Sequence, residues 1–394
     1  MRIAIFSDNF YPELSGISDS LIILAKALTK RGHQIAIFAP KYSKENYQFA
    51  NEQTRELELD SNIQIVRFGS LPFPGSGTKQ ARLVIPTFWR WLKVKKFKPD
   101  ILHTNHFFGL GLEALIAKKL LKLPLVGTNH TAITEFVRYS PIQFKSLPQK
   151  SWRYANWYYN HCQLVTAPGG ALLKEMEQNG LKSPHEIIPN PVDNETFFFT
   201  PGQKLNLKKE FGLGDQTIVY AGRIAPEKNI DVLVQALPLV RAKLPGITLV
   251  LAGQGHDFEK IKALAKKLKV EGSVKFLGTI NKPTLAKLYN AAETFVIAST
   301  SEVQSMTILQ AMACGLPIIG TRSRGIIDCV KENGFLFTPG KPQELADKIV
   351  SVLSDRNLRQ KFSQKSLLTV KNYSAETVAE TWEKAYTKIT ESAK

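Results

Sequence analysis

The stretch Ser299–Ile318, STSEVQSMTILQAMACGLPI, restricts the fold more than any other part of the chain. An apolar, β-prone run, Thr294 to Ala298, leads into it and reads as a buried parallel strand. A polar loop covers Ser299 to Ser305, and Met306 to Ala313 is a strong helix former. Gly315 stands where a left-handed helix cap is wanted, and Pro317 blocks continuation. The next strand passes through Ile318 and Ile319. Strand, loop, helix, stop and strand make one unit of an open parallel sheet. Such sheets bind ligands beyond the carboxyl ends of their strands. The free N–H groups of the helix's first turn would attract an anion there.

Glu302 lies in the loop and Gln310 two turns into the helix. That spacing lets one side chain meet a group near the helix start while the other meets a group farther along the same ligand. A nucleotide sugar has that shape. A solvated loop glutamate and a half-buried glutamine would look the same in sequence.

The 394 residues predict two domains, and 43% hydrophobic content is enough for two cores. The net charge of +18 is spread over both halves and suits an anionic ligand, a nucleic acid or an anionic membrane. No helix-turn-helix, zinc-finger or RNA-recognition signature is present, so nucleic acid is not expected as a partner. Cys162, Cys314 and Cys329 lack metal or redox spacing and read as core residues in a reducing compartment. MRIAIFSDN reads as a strand rather than a secretory signal, and no apolar run is long enough to span a bilayer. A cytoplasmic protein, peripheral on the inner face of the cell membrane, is expected.

The first half opens as a βαβ unit: strand Arg2–Phe6, a loop to Gly16, a helix from about Ser18 to Lys30, and strand Gln34–Ala39. Gly16, just before the helix, would let backbone N–H groups approach a phosphate; an ordinary tight turn is the alternative. After strand Ile63–Phe68, a helix is expected over Ala81–Phe97, carrying Phe88, Trp89, Arg90, Trp91, Lys93, Lys95 and Lys96. Aromatics beside clustered cations fit an interfacial membrane contact, and equally a surface helix with its aromatics turned inward. Strands follow at Asp100–Thr104 and Leu125–Thr128, and His130 at the end of the latter faces the ligand crevice. Phe136–Tyr159 is a candidate lid or acceptor groove. Pro189-Asn190-Pro191 is a rigid break, and Asp193–Gly202 reads as the hinge between the domains.

The second half restarts the pattern. Strand Thr217–Ala221 runs into GRIAPEKN, with Pro226 at the first position of a helix and Arg223 and Lys228 flanking its start. Two cations beside free N–H groups would hold a diphosphate without a metal. Strands are expected at Ile247–Ala252, at Val274–Leu277 ending in Gly278, and at Leu336–Pro339. The expected division is an acceptor-binding Rossmann-like domain over 1–192 and a donor-binding one over 193–374. The last helix, within about 375–394, is expected to pack back on the first domain.

Taken in order, FSDNFYPELSG, GRIAPEKN and the Glu302 stretch followed by AMACGLP resemble the retaining, GT-B-fold glycosyltransferases of family 4. Within it the chain looks most like bacterial diacylglycerol glucosyltransferases, with phosphatidylinositol mannosyltransferases as cousins. The resemblance implies two Rossmann-like domains whose parallel sheets face each other across a cleft. It implies a nucleotide-sugar donor, UDP-glucose or else GDP-mannose, with no metal or other cofactor, and a lipid acceptor at an anionic membrane. Arg223 and Lys228 would bind the donor diphosphate, Gly16 would lie against it, and Glu302 and His130 would contact the transferred sugar. Gln304, Ser305 and Met306 would offer backbone N–H groups, and the base would sit near Leu277 and Gly278. Gln310 stands where the family usually has a glutamate for the ribose hydroxyls, so donor affinity is the property it affects. The same fold acting on a soluble sugar or glycan, or a non-catalytic relative that binds nucleotide or membrane, are the alternative readings.

Overall fold

The computed structural model describes every residue except 51, 74–79, 88, 134–145 and 393–394. The chain divides into two compact units, Met1–Pro191 with Ala375–Lys394, and Val192–Ser374.

The first unit holds a parallel sheet of β1 (Arg2–Phe6), β2 (Gln34–Pro40), β3 (Ile63–Phe68), β6 (Ile101–Thr104), β7 (Leu125–Thr128), β8 (Leu164–Ala167) and β9 (His185–Ile187). Its order is β3-β2-β1-β6-β7-β8-β9. The central strand β1 reads RIAIF because both its faces are covered: Ile3, Ala4, Ile5 and Phe6 are fully buried. Ile3 is in register with Ile35 on one side and Ile101 on the other. The first helix spans Gly16–Lys30, and the Ser15 hydroxyl caps it by accepting from the Ile17 N–H at 3.2 Å. Gly16 is therefore the first helical residue rather than a residue ahead of the helix.

The last helix, Ala375–Ser392, buries Val378, Trp382 and Tyr386 in the same core as Leu21, Leu24 and Leu28 of the first helix. Glu383 pairs with Arg31 and, at 3.0 Å, with His33 at the rim of that contact.

The helix expected over Ala81–Phe97 is not formed as such. Pro86 interrupts the run, since a proline inside a helix removes one hydrogen bond and clashes with the preceding turn. Instead β4 (Leu71–Pro72) and β5 (Arg82–Leu83) pair antiparallel, and a helix begins only at Trp91 and ends at Phe97. Phe88 lies outside the described residues, as does much of the stretch considered as a lid; Leu147–Tyr159 of that stretch is a helix.

The second unit holds β10 (Gln216–Ala221), β11 (Ile247–Ala252), β12 (Val274–Gly278), β13 (Thr294–Ile297), β14 (Ile318–Thr321) and β15 (Gly334–Phe337), in the order β12-β11-β10-β13-β14-β15. All of its pairings are parallel. The stretch from Thr294 to Thr321 folds as its sequence requires: β13, a polar loop, helix Met306–Ala313, Gly315 at φ +74°, then β14.

The segment Asp193–Gly202, expected as the hinge, follows the boundary between the units directly and is tied down by its own bonds. The Asp193 carboxylate accepts from the Glu195 and Thr196 N–H groups, both at 3.1 Å, and Asn290 accepts from the Thr200 N–H at 2.8 Å. Phe197 is buried, so the segment is packed into the second unit. Among the described residues no helix is long and apolar enough to cross a membrane. Cys162, Cys314 and Cys329 are buried free thiols, and burial pushes each up to about 12.

Candidate active site

In an open parallel sheet the loops part where winding changes direction. In the second unit that point lies between β10 and β13. The loop after β10 carries Arg223 and Lys228, and the loop after β13 carries Glu302. Residues far apart in sequence are thus delivered to one spot by the strand order.

Three backbone features hold that spot together. Gly253, after β11, has φ +152°, and a Cβ there would lie 1.9 Å from the Gly222 carbonyl oxygen, so only glycine allows these two loops to meet. Pro226–Lys228 is a single 3₁₀ turn, and Asn229 at φ +49° ends it before the long helix Ile230–Lys243 begins. Pro226 thus stands at the first position of this 3₁₀ turn, and the α-helix follows separately. The Asn229 amide crosses to the second loop, donating to the Ala298 carbonyl at 3.1 Å. Lastly, the Gly325 N–H donates to the Glu302 carbonyl at 3.1 Å.

These ties set Lys228 Nζ 2.5 Å from Glu302 Oε1, with the two side chains 18% and 14% exposed. Burial would raise the Glu302 carboxyl. The Lys228 ammonium, a hydrogen bond from Ser299 and the Arg223 charge outweigh it and hold the carboxyl below its ordinary value. Glu302 is thus an anion at neutral pH. Arg223 Nη2 lies 2.6 Å from Glu227 Oε1, and the Tyr220 hydroxyl donates to the Arg223 carbonyl at 3.0 Å. The sequence reading places the two cations at a helix start and says nothing of their partners. Each is partnered by a carboxylate, and the Arg223 side chain keeps 37% of its surface open.

The helix after Glu302 begins at Met306, capped by the Ser305 hydroxyl, which accepts from Ile308 N–H at 3.4 Å. Gln304 is half-buried, and Ser305 and Met306 are buried. Gln310 is also buried, at 5% exposure. Leu277 and Gly278 end the edge strand β12, two strands from β10, and Gly278 has φ +65°.

The first unit has its own switch point, between β1 and β6. Asp8 after β1 accepts from the Leu110 N–H at 2.9 Å, at the start of helix Gly109–Leu121, and its own N–H donates to His106 Nδ1 at 3.2 Å. Burial pushes the Asp8 carboxyl up to about 7 against that Leu110 bond. Glu13 accepts from the Asn9 amide at 2.6 Å and the Tyr42 hydroxyl at 2.9 Å. Burial still pushes it up to about 7. His130 follows β7, with Nε2 at 2.9 Å from Asn105 Oδ1. Burial pushes its ring down to about 4, so it is neutral at pH 7, with the proton on Nε2 and a lone pair on Nδ1. Behind it His103 joins Tyr386 of the last helix to Thr128, both at 2.7 Å. Asp8, Glu13, Asn105 and Asn229 were not singled out in sequence. The available signal was position: Asp8 and Asn105 are polar and close behind a buried apolar strand, Glu13 lies in the loop FSDNFYPELSG, and Asn229 lies inside GRIAPEKN.

The membrane candidates separate. Trp89, Lys93, Lys95 and Lys96 are exposed, as is the apolar Leu92. Arg90 is not available: it bonds the Ile85 carbonyl at 2.8 Å, pairs with buried Glu113 at 3.4 Å and stacks over Phe68. Trp91 is half-buried, with Lys95 Nζ 5.7 Å from its ring centre.

Glu13 gives a testable pH signature. The folded chain keeps a proton on Glu13 that the unfolded chain releases, so this group's stabilising contribution is present at low pH and lost as pH rises through about 7. Glu13→Gln cannot ionise. Its stability relative to the parent is expected to climb between pH 5 and 8 by at most about 3 kcal/mol. Thermal denaturation across that range checks it. The buried histidines cancel in the difference, and a flat difference would show that Glu13 titrates normally.

Comparison with known proteins fits this geometry. Residues 14–196 match the family model described as Glycosyltransferase Family 4, and residues 203–367 match Glycosyl transferases group 1. The chain belongs to the family 4 glycosyltransferases. The alpha-monoglucosyldiacylglycerol synthase of Streptococcus pneumoniae is 29% identical over 90% of this chain and 78% of that protein. The protein of the same name from Acholeplasma laidlawii is 26% identical over 98% and 96%. Among solved structures, Anabaena Alr3699/HepE in complex with UDP superposes with a TM-score of 0.77 at 22% identity, covering 98% of this chain and all of that one. Both α/β units of this glycosyltransferase thus belong to the GT-B architecture.

Proposed function

We propose that this glycosyltransferase moves a hexose, glucose before mannose, from a nucleoside diphosphate sugar to a lipid hydroxyl such as that of diacylglycerol, with retention of configuration. The observation that carries the reading is the Arg223, Lys228 and Glu302 cluster at the β10/β13 switch point. The barrier is departure of the diphosphate while an oxocarbenium-like centre forms. Fixed positive groups aimed at the developing charge lower it. Lys228 and Arg223 supply that charge. When the diphosphate takes Lys228, the Glu302 carboxylate loses its partner and can accept from a hydroxyl of the hexose. The bond from the anomeric carbon to the diphosphate breaks and a bond to the acceptor oxygen forms on the same face. The acceptor's proton passes to the leaving phosphate oxygen, so no carboxylate nucleophile is required. His130 keeps its proposed role beside the transferred sugar, where its neutral ring would not repel the forming cation. With Arg223 and Lys228 as the charge partners, the diphosphate is held without a metal.

The lipid acceptor is supported by the names of the two synthases and by the exposed Trp89, Leu92, Lys93, Lys95 and Lys96. Each lysine near an anionic surface contributes about 1 kcal/mol. Neutralising all three is expected to weaken binding to phosphatidylglycerol vesicles by roughly 100-fold at low salt, read by vesicle sedimentation. Unchanged binding would remove this surface from the account.

The function itself is tested by incubating the protein with UDP-glucose or GDP-mannose and diacylglycerol vesicles and reading the product's anomeric proton by NMR. Glucosyl transfer with retained configuration is expected. An inverted product would end the same-face mechanism.

A further inference from the structure

The turn that carries His130 is fixed without help from its ring. The Asn129 N–H donates to the Thr166 carbonyl at 2.8 Å, and the Asn129 side chain accepts from the Thr131 N–H at 2.9 Å. The Tyr159 hydroxyl donates to the Thr128 carbonyl at 3.1 Å. These bonds leave open the orientation of the imidazole and the nitrogen that carries its proton. Asn105 addresses both. It follows β6, the neighbour of β7 in the sheet, and its own N–H donates to the Phe6 carbonyl of β1 at 2.9 Å. It is 7% exposed, and among the described residues it is the ring's one hydrogen-bond partner.

A neutral imidazole carries its proton on either nitrogen, and the group facing one nitrogen decides which. Asn105 Oδ1 can only accept, so it holds the proton on Nε2 and leaves Nδ1 as an acceptor. The other two histidines at these strand ends are differently placed. His103 and His106 are buried, His103 between Tyr386 and Thr128, and His106 with Nδ1 taken by the Asp8 N–H. His130 is half-buried, and with Asn105 it lines a cavity of about 20 Å³, room for one water or hydroxyl. Of the three rings it is the one with a nitrogen to offer a ligand.

We propose that Asn105 is a positioning residue for hexose transfer: it holds His130 in the Nε2–H tautomer so that Nδ1 accepts from a hydroxyl of the transferred sugar. This rests on the role proposed for His130 above. Asn105 touches no reacting atom and acts through the ring. A ring turned over, or protonated on Nδ1, would present an N–H to that hydroxyl instead. Accepting from the hydroxyl leaves more electron density on the sugar as the oxocarbenium-like centre forms, so the contact belongs to kcat more than to KM.

A double-variant cycle tests this. Asn105→Leu is expected to lower kcat for hexose transfer about tenfold, with the donor KM changed less than threefold. In a His130→Ala background the same substitution should change kcat less than twofold, because the ring it acts through is gone. Asn105→Asp keeps an acceptor facing Nε2, but its charge favours the protonated ring, so its kcat relative to the parent should fall as pH drops from 8 to 6. Nitrogen NMR of the ring, assigned by the signals lost in His130→Ala, needs no substrate. At pH 8 it should show Nε2–H in the parent and in Asn105→Asp, and a mixture of tautomers in Asn105→Leu. With a parent that transfers hexose, Nδ1–H in its spectrum, equal losses from Asn105→Leu in both backgrounds, or a pH-independent ratio for Asn105→Asp would each overturn this role alone. A parent that shows Nε2–H and transfers no hexose would end the proposed function and this role with it.

Discussion

Replacing Lys228 with alanine is expected to lower turnover by roughly 10²–10³-fold, the effect of removing one preorganised donor from a developing anion. The structure adds a second consequence. Lys228 is 2.5 Å from Glu302, a carboxylate only 14% exposed, so its loss leaves a nearly buried anion without its cation. Breaking a fully buried pair costs about 3–5 kcal/mol, and the remaining exposure here reduces that to about 1–2 kcal/mol. The two consequences can be separated. In Lys228→Ala with Glu302→Gln the stranded charge is gone, so most of the stability should return. Turnover should stay low, because the diphosphate contact is still missing. Steady-state kinetics and thermal denaturation of the parent and the two variants check this. Recovery of turnover in the double variant would mean that Lys228 serves only to neutralise Glu302.

The second large effect is expected at Gly325, which touches no proposed ligand. A Cβ there would lie 1.8 Å from the Val303 carbonyl oxygen and 2.4 Å from its carbon. Neither atom can yield without moving the loop that carries Glu302, because the Gly325 N–H also holds the Glu302 carbonyl. Gly325→Ala is therefore expected to cost about 3 kcal/mol, at the large end for overpacking. It should also weaken donor binding at least tenfold, since a displacement of about 1 Å near the chemistry costs that much or more. Denaturant unfolding and titration with UDP read the two effects. An alanine variant of parental stability and affinity would show that the loop has slack the structure does not display.

Much of the fold was legible because parallel strands buried on both faces appear as short apolar runs. RIAIF and ITLVLA are strands for that reason, and the stop at Gly315 and Pro317 has a direct backbone meaning. Period and cap signals are local, and these elements are local. The failures share a cause. The region Ala81–Phe97 has helical composition around Pro86, and the proline outweighs it. Asp193–Gly202 carries turn residues, but the bond from its Thr200 N–H to Asn290, 90 positions away, has no local signal.

The site was legible in part. Arg223, Lys228 and Glu302 could be picked out by type and position after strands, and the strand order brings them to one place. That Lys228 is already paired with Glu302 was not legible, because the pair joins two loops that Asn229 ties together by bonding across to Ala298. Asp8 and Glu13 were missed because their unusual protonation comes from burial, which no short motif records.

The central claim is that Arg223 and Lys228 hold the donor's diphosphate themselves. Titration of UDP into the full chain in the presence of EDTA, with Arg223→Ala and Lys228→Ala alongside, tests it most directly. Tight binding without added metal, weakened at least tenfold in each variant, is the predicted result. Binding that requires a divalent ion, or that is as tight in both variants as in the parent, would contradict it.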